Sequence, residues 1–425
     1  MKIFLFTTSI FFSNFLFAQK TILHCGKLID VKELKVLTEM SVIVEDNKII
    51  DVQKGYINPS SNDKIIELKD KTVMPGLIDC HVHMEAQTSP TAFTDQFRMN
   101  PADYAFQSVG YAYTTLMAGF TTVRDVGGSG VNILLRNAIN KELIKGPRIY
   151  TAGKIISSTG GHADHTNGLR QDLMDIPELN NNVADGVDAC IKAVRERYKE
   201  GSDLIKITAS GGVLSMEKDG SGAQFSEEEI KAIVQTAKDY GMKVAAHAHG
   251  AEAIKRAVRA GVASIEHGTF MDDEAMTLMK QYGTWYVPTI IAGKSVADSA
   301  KKPGYYPEVI AQKAIAIGPK IQATFAKAYK AGVKIAFGTD AAVYAHGKNW
   351  KEFVYMTEAG MPVLEAIKSA TVNAAELIGI SDKVGDIEKD KLADIIAVDG
   401  DPTKDIQVMG KVKFVMKEGV VYKNE

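Results

Sequence analysis

Six side chains that could act together on metal ions are spread along the chain, and each lies near the end of a short apolar run. They are His81, His83, Lys206, His247, His267 and Asp340. Imidazole and carboxylate groups are ordinary ligands of zinc, manganese and iron. Two such ions held around one water molecule would turn that water into a nucleophile, which is the chemistry of a hydrolase.

The first two histidines are separated by one residue in the segment GLIDCHVH (76–83). Because side chains alternate along a strand, His81 and His83 point to the same face. Taken alone, this pair is weak evidence for a metal site, so its meaning depends on the other ligands. Asp79 is in phase with the pair and is a candidate supporting residue.

The lysine lies in DLIKITA (203–209), on the face that would point into a barrel. A buried ammonium group is costly unless it is paired. Two interpretations of Lys206 stay open. It could form an ion pair with a carboxylate, or its amine could carry a carboxyl group from CO₂, whose two oxygens can bridge two metals.

The remaining three residues would each be unremarkable alone. His247 and His267 end two apolar segments with one helix-length stretch between them, so their strands would lie side by side. Asp340 ends a third segment, FGTDAA. A carboxylate there could accept a proton from water and deliver it later. The alternative for Asp340 is a cap on the following helix.

The middle of the chain alternates apolar β-rich runs with amphipathic helical stretches. The runs cover 76–83, 120–126, 148–156, 203–209, 243–249, 264–269, 285–290 and 335–341. Eight strands alternating with helices predict an α/β fold, the (βα)₈ or TIM-like barrel. A doubly wound sheet is the alternative, but it would not explain why the candidate ligands all come late in their strands.

The two ends of the chain differ from the middle. Residues 19–75 and 385–425 contain short alternating strands, which predict one small composite β-sandwich domain built by both ends around a barrel of residues 76–384. Residues 1–18 have the pattern of a signal peptide, which predicts a periplasmic or secreted protein. An uncleaved membrane anchor is the alternative for that segment.

Composition excludes several classes of protein. Among 425 residues, 50 basic and 52 acidic side chains give a net charge of −2, without a basic stripe, so nucleic acid is not an expected partner. No later apolar run is long enough to cross a membrane. Cys25, Cys80 and Cys190 form neither a disulfide framework nor a zinc-finger spacing.

Several motifs occur in one order along nearly the whole chain. They are PGLIDCHVH, GFTTVRDVGG, IKITASGG, HAHGAEAIKRAVRAG, SIEHGTF, FGTDA, EAIKSATVNAAELIG and ADIIAVDGDP. In these motifs the chain resembles the amidohydrolase superfamily of metal-dependent (βα)₈ hydrolases. Within it, the chain is similar to the imidazolonepropionase-like subgroup, which includes binuclear Xaa-Pro and Xaa-Arg/Lys dipeptidases and ochratoxin-cleaving amidases.

The resemblance implies a role for each ligand. The histidine pair of segment 81–83 and Asp340 would bind a first divalent metal, and His247 and His267 a second. Carboxylated Lys206 would bridge the two ions, for which zinc is favoured. A bridging hydroxide would be the nucleophile, and Asp340 would pass its proton to the leaving amine.

The resemblance also suggests residues that contact the substrate. His249, on the same strand face as His247, would polarise the scissile carbonyl, although dipeptidase relatives can have Tyr there. His162 in STGGHADH would lie near the substrate, or it is a loop histidine without that role. His346 could line the mouth of the site in the same way. Arg124 and Asp125 are interpreted as a structural pair.

The leading hypothesis is therefore a hydrolase that cleaves amide bonds in dipeptides or N-acyl amino acids with a free C-terminal carboxylate. The alternative is hydrolysis of a cyclic amide such as an imidazolone or a hydantoin. A third hypothesis is a non-catalytic binding protein on an enzyme scaffold. The expected partner is a small-molecule or dipeptide substrate, and the resemblance implies a homo-oligomer.

Overall fold

The structure is a computed structural model that describes residues 19–425, apart from residues 96, 175, 177, 178 and 180. The predicted signal peptide, residues 1–18, lies outside the described residues, so export stays a prediction. In the described part of the chain, no helix is long and apolar enough to cross a membrane.

The strands fall into a group near each chain end and a group between them. They are β1 Lys20–Asp30, β2 Lys35–Glu45, β3 Lys48–Lys54, β4 Lys64–Pro75, β5 Leu77–Val82, β6 Phe120–Asp125, β7 Arg148–Thr151, β8 Ile205–Thr208, β9 Val244–Ala248, β10 Ser264–His267, β11 Trp285–Val287, β12 Ile395–Val398, β13 Val412–Lys417 and β14 Val420–Asn424.

The helices follow the barrel strands. They are α1 Ala92–Asp95, α2 Pro101–Met117, α3 Val131–Asn140, α4 Gln171–Met174, α5 Val187–Glu200, α6 Glu227–Asp239, α7 Ala251–Arg259, α8 Asp273–Tyr282, α9 Ile290–Ala300, α10 Glu308–Lys330, α11 Lys351–Glu358, α12 Val363–Ser369 and α13 Val372–Ile378, with a 3₁₀ helix at Ile406–Gly410.

Both chain ends contribute to one seven-stranded sheet, in the order β14-β13-β12-β4-β1-β2-β3. The join is antiparallel, with Val73 of β4 aligned with Ala397 of β12. Leu23, Leu68 and Phe414, from both ends, are buried in one hydrophobic cluster. The composite β domain is confirmed, whereas the boundaries expected after residues 75 and 384 stay predictions.

The middle strands form a closed barrel. β5-β6-β7 and β11-β10-β9-β8 are two parallel sheets, and a parallel bridge from Ile156 to Ile207 joins them. Residues 334–341, here called the closing segment, complete the circle through bridges from Ile335 to Tyr286 and from Ala341 to Val82. The (βα)₈ barrel is confirmed, and a doubly wound sheet is excluded because the sheet closes on itself.

Local sequence explains where the helices begin and which face they bury. α6 starts at a capping box in which Ser226 accepts from the backbone of Glu229, an interaction that contributes about 1 kcal/mol. α7 buries Ile254, Ala257 and Val258 at helical spacing against the barrel. The segment that follows β11 forms a helical hairpin of α9 and α10.

That hairpin packs unusually closely. A Cβ atom on Gly318 of α10 would lie 2.5 Å from the carbonyl oxygen of Gly293 in α9. The absence of a Cβ atom at Gly318 permits this approach of the backbones. The contact fixes α10 over the carboxyl ends of the barrel strands, where the candidate site lies.

Candidate metal centre and catalytic cavity

A cavity of about 550 Å³ opens at the carboxyl ends of the barrel strands. All of the predicted ligands and both predicted substrate residues line it: His81, His83, His162, Lys206, His247, His249, His267 and Asp340. In a barrel, the loops at this end surround the active site. Residues separated by up to 259 positions in sequence are thus brought to one place by the strands that end there.

The backbone turns sharply where three strands reach this cavity. His267, Thr289 and Asp340 have left-handed φ angles of 70°, 52° and 60°. Such angles are uncommon for residues other than glycine, and they concentrate at functional sites. At Asp340, the turn also ends the extended conformation of the closing segment.

Hydrogen bonds away from the cavity set the orientation of three histidines. His83 Nδ1 donates to the carbonyl of Gly127 at 2.7 Å, and His247 Nε2 donates to that of Gly211 at 3.2 Å. Because a carbonyl can only accept, the second nitrogen of each neutral ring keeps its lone pair. His81 Nδ1 likewise contacts Glu266 Oε2 at 2.7 Å.

Threonine hydroxyl groups orient two further histidines, His267 and His249. Thr289 Oγ1 lies 2.8 Å from His267 Nδ1, and Thr269 Oγ1 lies 2.8 Å from His249 Nδ1. In both rings Nε2 is therefore the atom left for a ligand or substrate. Partners of this kind orient metal-binding histidines.

The carboxylate of Asp340 faces the histidine pair. Its Oδ1 lies 3.3 Å from His83 Nε2 and 3.6 Å from His81 Nε2. Burial alone would raise the pKa of Asp340, but the two histidines hold it below its ordinary value. Ligand atoms of His81, His267 and Asp340 all lie within 4.8 Å of one another. This donor set of one carboxylate and several imidazoles fits a divalent cation.

Lys206 is buried beside these groups. Within the described ranges, no carboxylate oxygen approaches its Nζ within the 4.0 Å of an ion pair. Burial lowers the pKa of the Lys206 amine to about 8, although Glu266 and Asp340 act in the opposite direction. The ion-pair interpretation of this lysine therefore finds no partner in the part of the chain that the structure describes.

His162 reaches the cavity from the loop after β7. Its ring stacks on that of His247 with centroids 4.3 Å apart. Its Nδ1 lies 2.6 Å from Ser215 Oγ, in the loop after β8. His162 is therefore held between two loops and the ring of His247, and it is fixed at the edge of the site.

Burial lowers the pKa of the neighbouring His249 to about 3, so that ring is neutral.

One part of the site was missed by sequence reasoning. Arg124 Nη2 contacts Glu266 Oε1 at 2.7 Å, and the other oxygen of Glu266 contacts His81. Burial would raise the pKa of Glu266, but Arg124 and His81 lower it to about 2. The expected pairing of Arg124 with Asp125 is wrong, because Asp125 accepts instead from the backbone of Met84. The short segment SIEH carried no periodic signal that would have pointed to Glu266.

Two other expectations are resolved by contacts. Asp79 accepts from Thr339 Oγ1 at 2.6 Å and from His81 N at 3.1 Å, so it joins β5 to the closing segment beneath the site. His346 does not line the cavity. Its Nε2 donates to Ala86 O at 2.9 Å, and its ring stacks on Tyr111.

Part of the cavity wall is apolar. α9 and α10 contribute Val296, Ile317 and Ile321, and the loop after β8 adds Val213 and Leu214. Lys154 and Asn181 also line the cavity and offer polar groups. The cavity therefore suits a small molecule with an apolar part and a polar or charged part.

A closed barrel with histidines, a carboxylate and a buried lysine gathered in one cavity at its carboxyl end defines a hydrolase of the barrel type. Residues 72–422 match the model of the amidohydrolase family, and the chain belongs to this family. It is a hydrolase that acts on carbon–nitrogen bonds, so the hypothesis of a non-catalytic binding protein is set aside.

Similar proteins indicate the subgroup of the amidohydrolase family to which the chain is related. A solved Xaa-Pro dipeptidase with methionine bound in its active site is 52% identical, with a TM-score of 0.92 over 96% of this chain and 100% of that one. Ochratoxinase of Aspergillus niger is 32% identical over 96% of this chain and 87% of its own. Imidazolonepropionase of Micrococcus luteus is 22% identical over 86% and 89%. The subgroup expected from the motifs is confirmed.

Proposed function

We propose that this hydrolase is a binuclear metal enzyme that cleaves dipeptides or N-acyl amino acids with a free C-terminal carboxylate. The observation that carries the proposal is that ligand atoms of His81, His267 and Asp340 lie within 4.8 Å of one another, in a cavity that His83 and His247 also line. The similarity to a dipeptidase with a bound amino acid supports a substrate of this kind.

Two divalent cations, for which these donors favour zinc, would supply an acidified water and polarise the scissile carbonyl. His81, His83 and Asp340 would hold one ion, and His247 and His267 the other. Lys206 would bridge them as its carboxylated form. A pKa of about 8 leaves part of its amine neutral near neutral pH, and only the neutral amine reacts with CO₂.

The chain's own groups would then manage the proton and the carbonyl. Asp340 is ionised, so it can accept a proton and deliver it to the leaving nitrogen. His249 presents Nε2 because Thr269 occupies Nδ1, and a donor there would stabilise charge on the carbonyl oxygen. His162, at the cavity edge, would contact the substrate.

The experiment that tests this function is hydrolysis of a dipeptide panel by enzyme loaded with zinc, measured as released amino acid. We expect turnover of a subset of the panel, and loss of that turnover on chelation and in Asp340→Asn. A metal-loaded enzyme that cleaves no amide, and that Asp340→Asn does not change, would overturn the proposal.

A cyclic amide is the second candidate, favoured by the similarity to imidazolonepropionase. The same centre could open an imidazolone or hydantoin ring. Loss of ring absorbance without dipeptide turnover would select it. Export and homo-oligomeric assembly stay predictions, which cell fractionation and sedimentation would check.

Lys154 is our candidate for binding the substrate carboxylate. It lines the cavity in the loop after β7, and its Nζ is 3.5 Å from Glu200, a weak contact that leaves it available. A charge-assisted hydrogen bond contributes about 1.5–3 kcal/mol. We therefore expect Lys154→Met to raise KM for dipeptides by roughly 10- to 100-fold, and to leave KM for the C-terminal amides unchanged.

The matched control is Lys192→Met, a lysine on the exposed side of α5 that pairs with Glu196. Lys192→Met should leave KM unchanged for both the dipeptides and the C-terminal amides. If Lys154→Met raised KM equally for acids and amides, Lys154 would not be the carboxylate partner.

A further inference from the structure

A lysine from α10 enters the loop after β8 and is surrounded there by backbone carbonyls. Lys313 Nζ donates to Gly212 O at 2.8 Å, to Ser215 O at 2.8 Å and to Glu217 O at 2.7 Å. An ammonium group has three hydrogens, so each has a partner. The side chain is buried, with 8% of its residue surface exposed.

The segment that it holds, residues 212–217, touches the substrate-facing histidine at three points, one of which is Glu217 Oε1 at 3.6 Å from His162 Nδ1. Ser215 Oγ contacts His162 Nδ1. A Cβ atom added to Gly212 would lie 2.3 Å from the His162 ring, so the backbone at Gly212 is packed directly against it. A displacement of this segment by a few tenths of an ångström would therefore move His162.

Packing alone does not account for a lysine at this position. Its neighbours on the buried face of α10 include Ile310, Ala314 and Ile317, and an apolar residue would continue that stripe without the cost of burying a charge. The nearest carboxylate, Glu217 Oε1, is 3.9 Å away and is already engaged by Gly212 N at 2.8 Å. The ammonium group thus serves mainly the three carbonyls.

We propose that Lys313 is a positioning residue for the hydrolysis: it fixes segment 212–217 from α10, and this segment in turn fixes His162 against His247. The inference rests on the proposed function, in which His162 contacts the substrate. α10 would then have two roles: it contributes to the apolar wall of the cavity, and it fixes segment 212–217.

The test is a double-mutant cycle on the zinc-loaded enzyme with its best dipeptide. Lys313→Met keeps the length of the side chain but removes its donors. We expect kcat/KM to fall by roughly tenfold or more, since small misplacements near the chemistry are costly. In a His162→Gln background the same change should alter kcat/KM by less than about twofold, because coupled residues are not additive. Equal losses in both backgrounds, or no loss in either, would overturn the proposal.

Two further measurements separate positioning from loss of fold. Hydrogen exchange should accelerate in residues 212–217 of Lys313→Met and stay unchanged in β9. Lys320→Met, the same change at an exposed position of α10, should alter neither exchange nor kinetics. If Lys313→Met does not fold, Lys313→Gln is measured in the same way.

Hydrogen exchange tests the positioning role of Lys313 separately from the proposed function. A wild-type enzyme that cleaves no dipeptide defeats the proposed function, and accelerated exchange would still show that Lys313 holds the segment. Unchanged exchange in residues 212–217 would overturn the positioning role whatever the substrate is.

Discussion

Replacing Asp340 with Asn is expected to lower kcat for amide hydrolysis by about 10³-fold. A group that transfers a proton contributes roughly 10²- to 10⁴-fold, and Asp340 would also lose its charge as a ligand. Asn has nearly the same size and tolerates the left-handed backbone at this position. The change therefore removes the carboxylate without adding strain, and steady-state kinetics with circular dichroism would measure it.

A matched control exists on the surface. Asp390 also has a left-handed backbone, with a φ angle of 72°, and it is exposed. Asp390→Asn should keep kcat within about twofold, since surface substitutions away from the site have small effects. Comparable losses in the two variants, or full activity in Asp340→Asn, would refute a proton-transfer role for Asp340.

Replacing Lys206 with Ala is expected to abolish activity and to remove most of the bound metal. The proposed bridge would vanish, and the ions that the histidines would hold would lose their shared anionic ligand. Short carboxylic acids, which fit the space left by the side chain, should restore part of the activity. The measurements are metal content per chain by mass spectrometry and rate as a function of added acetate or propionate.

Lys334→Ala is the control. Lys334 is an exposed lysine at the first position of the closing segment, and it pairs with Glu376 at 3.3 Å. It should keep both metal and rate. Full metal occupancy in Lys206→Ala would contradict the bridge. Native mass spectrometry of the wild-type chain near neutral pH should show the added mass of one CO₂.

The barrel and the ligand positions could be predicted because they depend on local patterns. Each barrel strand is a short apolar run, and parallel strands in a barrel end on one face. Once His81 and Asp340 were placed late in their runs, their proximity followed from topology. That inference required no knowledge of loops, which is why all of the predicted ligands line the same cavity.

The contacts that orient these residues could not be predicted in the same way. Glu266 reaches His81 and Arg124 across the barrel, and the relative rotation of three strands decides that contact. Nothing in the periodicity of SIEH indicates it. The left-handed angle of Asp340 is likewise imposed by packing, because no glycine marks the turn.

The loops show the same limit. His162 was a candidate from the motifs, but its partner Ser215 and the lysine behind that loop come from segments far away in sequence. His346 had an equal claim by residue type and lies elsewhere, against Ala86. Side-chain type suggests chemistry, whereas long-range packing decides which side chain reaches the cavity.

The alignment of Val73 with Ala397 also bears on how a new chain matures. One edge of β4 has no partner until almost the whole polypeptide has been made. At about 5–20 residues per second, that delay is on the order of 15–65 s. During it, the exposed edge is a template for association with other chains.

Ending the chain at residue 394 should therefore leave residues 20–75 sensitive to protease. Ending it at residue 418 removes only β14, which lies at the edge of the sheet. In that longer chain, residues 20–75 should stay resistant to protease. Protease resistance of residues 20–75 in the shorter chain would contradict this order. The first strands to leave the ribosome are thus expected to be among the last to become stable.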